Sequence, residues 1–188
     1  MTDQPVRREL KHRRTIHSDG YLREDGLWEV EATMKDIKTY DVHRDFDGTL
    51  VTTGEPFHDI SISIQLDDSF MIQDINVSID AHPFPNCGQA APNFASIKGT
   101  RIGPGWHSAL KKQFKGVSGC THVLELLPVV ATTAFQMMWQ PLGQKYPHLV
   151  ANSLSGLVNT CKGWSEDGPM VTRLIEAGVL TAEHLNNK

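Results

Sequence analysis

Cysteine is scarce in this chain, with Cys87, Cys120 and Cys161 the three it carries in 188 residues. An odd, low count excludes a disulfide framework. Met1-Thr-Asp-Gln-Pro also lacks the apolar segment of a secretory signal, so reduced thiols in a cytoplasmic protein are expected. Long hydrophobic runs are missing too. The richest stretch, Val123 to Trp139, is interrupted by Glu125, Pro128 and Gln136, which makes it a core helix and leaves no membrane partner to expect. Net charge is −4, so the whole molecule is not built to hold a nucleic-acid backbone. Arg7, Arg8, Lys11, Arg13 and Arg14 do crowd the first fourteen residues, but no aromatic residue interleaves with them as a base-stacking surface would require. They read as a solvated, mobile end, the sharper alternative being an arm that grips a phosphate or an acidic partner. Three motifs are absent as well. There is no Cys-x-x-Cys pair, no His-Glu-x-x-His helix and no Gly-x-Ser-x-Gly elbow, which removes the standard zinc signatures and that kind of hydrolase.

What is present is ordinary globular composition, 39% hydrophobic and 21% charged, which argues against disorder. Residues 1–188 are expected to form a single domain: a basic N-terminal segment over 1–20, strands over 27–80, helices over 88–139, and a C-terminal extension with a helix over 140–188. Trp28, Val30, Ala32 and Met34 alternate with Glu29, Glu31 and Thr33, the period of a strand with one wet face. Ile60, Ile62, Ile64 and Leu66 alternate with Asp59, Ser61, Ser63 and Gln65. After the turn residues Asp67-Asp68-Ser69, Phe70 to Asp80 returns as a partner strand. Phe70 and Ile72 have the opposite parity to Ile75, Val77 and Ile79, so a bulge is expected near Gln73.

The second half changes period. Phe94 and Ile97 mark a short helix that ends at Gly99, and Trp106, Leu110 and Phe114 form one helical face before Gly116. Thr121 to Trp139 is the longest helical segment, which Pro128 should kink or restart. A last amphipathic helix is expected from Ser165 to about Ala177. Strands followed by helices predict an α+β fold: a small antiparallel sheet of about three strands, including a hairpin, with helices packed on one face.

The residues able to carry chemistry lie at element boundaries. His58 shares the parity of Ile60 and Ile62 and should face the core, as a satisfied core residue or as part of a site. Cys87 follows the hairpin. Gly119-Cys120-Thr121-His122 sits where a loop enters the long helix. Cys120 and His122 can converge there, and unpaired backbone N–H groups favour thiolate. Thiolate and imidazole are ligands of zinc and other borderline-soft metals. Arg23, Asp25, Asp36 and Lys38 read as ion pairs on the wet face of the first strand, and Gly103-Pro104-Gly105 as a tight turn.

Arg13-Arg14, the run Gly20 to Trp28, Glu31-Ala32, Asp36-Ile37-Lys38, Gly54-Glu55-Pro56 with His58-Asp59, and Gly119 to His122 with Glu125-Leu126-Leu127 resemble a proteobacterial family known as domain of unknown function 2889. The resemblance implies no activity, but it places Cys120, His122 and Cys161 within that family's motifs. The order of hairpin, Cys-Gly, helices and a Cys/His pair before a long helix is similar, more faintly, to iron–sulfur cluster scaffold proteins. That likeness puts His58-Asp59 where a first ligand and its aspartate would be, Cys87 at the second ligand and Cys120 with His122 near the third.

The resulting expectation is a metal-binding protein whose site is built from Cys87, Cys120 and His122, joined by His58 or Asp59, with Cys161 as an additional ligand and zinc or iron as the metal. One alternative is a metal-free enzyme of small-molecule catabolism that uses Cys120 as nucleophile or His122 as acid/base. Another is a binding or assembly module in which these residues are merely buried. The expected partners are a metal or a small-molecule substrate. Homodimers are common among such domains, although no stretch demands one.

Overall fold

The structure, a computed structural model, describes residues 6–147 and 153–181. The chain forms two compact units, Met1–Met137 and Met138–Lys188. In the first, β1 (His12–Leu22), β2 (Trp28–Lys38), β5 (Pro56–Leu66) and β6 (Ile72–Ala81) build a four-stranded sheet in the order β1-β2-β5-β6. All neighbours are antiparallel. Two short strands, β3 (Val42–His43) and β4 (Leu50–Val51), pair within the β2–β5 connection.

The alternation works as expected in β2 and β5. Trp28, Val30, Ala32 and Met34 are buried on one face with Ile60, Ile62, Ile64 and Leu66. The bulge falls at Gln73, because Gln65 opposes Asp74 whereas Leu66 opposes Ile72. The sheet has four strands, one more than the alternation reveals. The extra one is β1, which takes in Arg13 and Arg14 of the segment read as a solvated end. It is exposed nearly throughout, so it has no apolar alternation to betray it. Eleven residues pair with β2, from His12 opposite Lys38 to Leu22 opposite Trp28, and backbone ladder bonds hold it in place of a buried face. Gly26, at φ 85°, supplies the left-handed residue of the connecting turn.

Helical segments cover the apolar face. A 3-10 helix (Cys87–Ile97) buries Phe94 and Ile97, and α1 (Trp106–Gln113) buries Trp106 and Leu110. Phe94 stacks on Phe114 with ring centroids 4.3 Å apart. In α2 (Thr121–Lys145) Val123, Leu126, Leu127, Val130 and Ala134 are buried, the stripe of a helix lying on a core. The helix runs on through Pro128. Each large side chain removed from water in this way stabilises the fold by about 1.5–3 kcal/mol.

In the second unit Leu154, Val158, Val171 and Leu180 form a small core with Trp139, Trp164 and Leu174 against it. The last helix starts at Pro169, later than the expected Ser165, because Gly168 N–H closes a turn on Ser165 O and proline takes the first helical turn. Among the described residues no helix is long and apolar enough to cross a membrane.

Candidate functional site

One rung of the sheet breaks the apolar face. Arg14 on β1 lies opposite Asp36 on β2, and Asp36 lies opposite His58 on β5. Asp36 continues the parity of Met34, so its carboxylate points inward and is 1% exposed. The expectation of Asp36 on the wet face is thereby corrected: every second residue from Trp28 onward faces the core, and Asp36 is the last of them. Arg23 does pair with Asp25 at 2.8 Å, and Lys38 lies over the Phe57 ring instead.

Burial of a charge requires partners, and Asp36 has three, which make four contacts with it. Arg14 grips it with both arms of its fork, Nε to Oδ1 and Nη2 to Oδ2, each at 2.8 Å. His12 Nε2 lies 3.2 Å from Oδ1, and His58 Nδ1 lies 3.0 Å from Oδ2. Burial alone would push the Asp36 carboxyl up. The Arg14 bonds and charge, helped by His58 and His12, outweigh it and hold the group at about 2. Arg14 reaches α2 as well, donating from Nη1 to Glu125 Oε2 at 2.6 Å.

An ionised carboxylate only accepts, so His58 donates Nδ1–H to Asp36 and its Nε2 carries the lone pair. The His58 ring lies against His122 of α2, centroids 4.1 Å apart. Their proton affinities diverge. Burial, then the charge of His122, pushes His58 down. Hydrogen bonding with Cys120 raises His122 against the effect of burial. For Cys120 burial pushes upward, but the His122 side chain and the backbone N–H groups of Val123 and His122 bring the thiol below its usual range. Those N–H groups belong to the first turn of α2, where Cys120 is the cap residue and its C=O accepts from Leu124 N–H. Gly119 precedes it because the chain passes close to Phe114: a Cβ there would lie 2.6 Å from Phe114 O.

Cys120, His122 and His58 open onto a cavity of about 580 Å³, within the size range of small-molecule pockets. Cys87 lines the same cavity, as do His82, Ile79 and Phe84. Four of the six expected site residues therefore meet. Asp59 does not join them: it has the opposite parity to His58 and pairs with Lys35 at 3.0 Å. Cys161 is exposed and belongs to the second unit. Among the described residues, the group with the spacing to hold a metal ion is Asp36, His58 and His122, whose ligand atoms lie within 4.8 Å of one another, and it contains no cysteine.

The family described as protein of unknown function DUF2889 matches residues 12–136. The chain belongs to it. The DUF2889 span holds the whole of the site, from His12 to Glu125, and leaves Cys161 outside. Neither the curated proteins nor the solved structures contain a match, so the likeness to iron–sulfur scaffolds gains no support. Reading the sequence missed Arg14, His12, Glu125 and His82. Only Asp36 had a usable signal, its parity.

Proposed function

We propose that this DUF2889 protein is a cysteine-dependent enzyme in which Cys120 attacks an electrophilic acyl carbon of a small organic molecule held in the cavity. The observation that carries the reading is the continuous line Arg14–Asp36–His58–His122–Cys120, which ends at a thiol on a helix N-terminus facing that cavity. Thiolate paired with imidazolium is the reactive state of a nucleophilic cysteine. Attack forms an S–C bond as the leaving group departs with the proton of His122. Water, deprotonated by the now neutral His122, then releases the acid and restores the thiol. His58, fixed by Asp36, positions His122.

Alkylation by iodoacetamide tests this. Cys120 should react at pH 7 about 30-fold faster than exposed Cys161, because an ordinary thiol is only a few per cent ionised there. The fast phase should vanish in Cys120→Ala and slow in His122→Ala. A Cys120 rate equal to that of Cys161, rising only near the ordinary thiol pKa of about 8.5, would overturn the reading.

A second reading rests on the grouping of Asp36, His58 and His122, which would suit zinc or iron. The acceptor sites of Asp36 are already taken by Arg14, His12 and His58, and the guanidinium puts a fixed positive charge beside them. In this reading Asp36 orients His58 and the two imidazoles ligate. Near-stoichiometric metal by mass spectrometry, lost in His58→Ala and in His122→Ala, would favour it over the nucleophile.

A further inference from the structure

His82 lines the cavity and takes no part in the line of site residues. It follows β6 directly, and the pairing of Asp59 with Ala81 brings it to the end of the sheet where His58 lies. Its Nδ1 is buried and, among the described residues, has no hydrogen-bond partner. A buried N–H without an acceptor is costlier than an unused ring lone pair, so the neutral ring carries its proton on Nε2. That nitrogen lies 3.7 Å from the place a Cβ on Gly88 would take, and the chain neighbours of Gly88, Cys87 and Gln89, both line the cavity with His82. With Nδ1 enclosed, Nε2 is the ring nitrogen left to donate to a ligand there.

The remaining wall defines what the donor meets. Ile60, Ile79, Phe84 and Val117 are apolar, Asn86, Gln89, Asn93 and Thr121 are polar but uncharged, and among the described residues no Asp, Glu, Lys or Arg side chain lines the cavity. The Cys120–His122 pair is neutral as a whole, with its proton on either partner. An ionic ligand entering here would give up its hydration without a counter-charge, which costs far more than placing one carbonyl against one donor. A molecule with an apolar body and a single acceptor loses little and gains both contacts.

We propose that the cavity binds an uncharged, partly apolar acyl compound whose carbonyl oxygen accepts a hydrogen bond from His82 Nε2 while its apolar end packs on Ile79, Phe84 and Val117. The inference rests on reading Cys120 as the nucleophile and names the substrate class of that same site. It concerns binding alone, so it can fail separately.

Benzamide, benzoate and benzylamine share a ring and differ in charge. Titrated into the Cys120→Ala protein, which cannot react, and followed by the Ile79 and Val117 methyl signals in NMR, with the His82 imidazole signals where His82 is present, benzamide should bind saturably and shift those signals. Benzoate and benzylamine should bind at least about tenfold more weakly. His82→Phe, which keeps the ring and removes the donor, should weaken benzamide about tenfold, and His82→Gln should recover most of the loss. Absence of saturable benzamide binding, tighter binding of either ion, or undiminished binding in a folded His82→Phe protein would overturn the proposal. Fast alkylation of Cys120 without benzamide binding would sink this inference and leave the nucleophile standing. Benzamide binding with slow alkylation would do the reverse.

Discussion

The inner face of the sheet has two ends that share β2 and β5, and they are buried by different means. At one end Trp28, Leu66 and Ile72 lie opposite one another as an apolar rung, all nearly inaccessible to water. At the other end Asp36 and His58 hold the places on β2 and β5, and the third member is Arg14 of β1 instead of a residue of β6. The apolar rung needs only shape, and each member contributes on its own account. The polar rung holds only when every donor and acceptor is present, because Asp36 is as buried as its apolar counterparts and keeps its charge there. The polar end is thus the more fragile of the two. It is also the end against which His122 rests.

The comparison breaks most visibly at Asp36. Asp36→Ala takes two hydrogen bonds from the Arg14 guanidinium, leaving it Glu125, and should destabilise the first unit by about 3 kcal/mol, read as a lowered urea midpoint. A smaller effect, specific to the polar end, comes from acid. The Asp36 carboxyl is held at about 2 in the folded protein against an ordinary 3.8. A depressed folded-state value means that the contribution is fully present above about pH 4 and is lost as pH falls through about 2. At 1.36 kcal/mol per unit of pKa it amounts to about 2 kcal/mol. The stability difference between the natural protein and Asp36→Asn should shrink by that amount when unfolding at pH 6 is compared with unfolding at pH 2. The smallest effect belongs to the apolar end. Ile72→Val should cost about 0.5–1.5 kcal/mol, and the same at both pH values, because nothing in that rung titrates. A pH-dependent cost at Ile72, or none at Asp36, would erase the distinction.

The two ends were unequally legible. Trp28, Leu66 and Ile72 announce themselves by hydrophobicity at a period of two. Asp36 stands at the same period but reads as a surface residue when judged by type alone, so its inward direction was overlooked although the alternation contained it. Arg14 had no signal of either kind. β1 is a strand by virtue of pairing with β2, and pairing partners leave no trace in a single sequence when neither face of the strand is apolar. Cys120 and His122 were recognisable from their place before a long apolar helix, and His58 from its parity. That they share a cavity with Cys87, while Asp59 does not, depends on how the helices fold back over the sheet, which local spacing does not encode.

Arg14, Asp36 and His58 follow one another along the chain at intervals of 22 residues. If β2 slipped by one residue against β1, Lys35 or Ile37 would come opposite Arg14, and the Asp36 carboxylate would turn to the outer face. A charge pair of this kind makes a misaligned sheet energetically distinct from the correct one, which an edge strand whose apolar residues, Ile16, Tyr21 and Leu22, are exposed does little to achieve by burial. During folding the rung therefore acts as a key for strand alignment: β1 can be accepted in one position only, and the site assembles in the same step that fixes it.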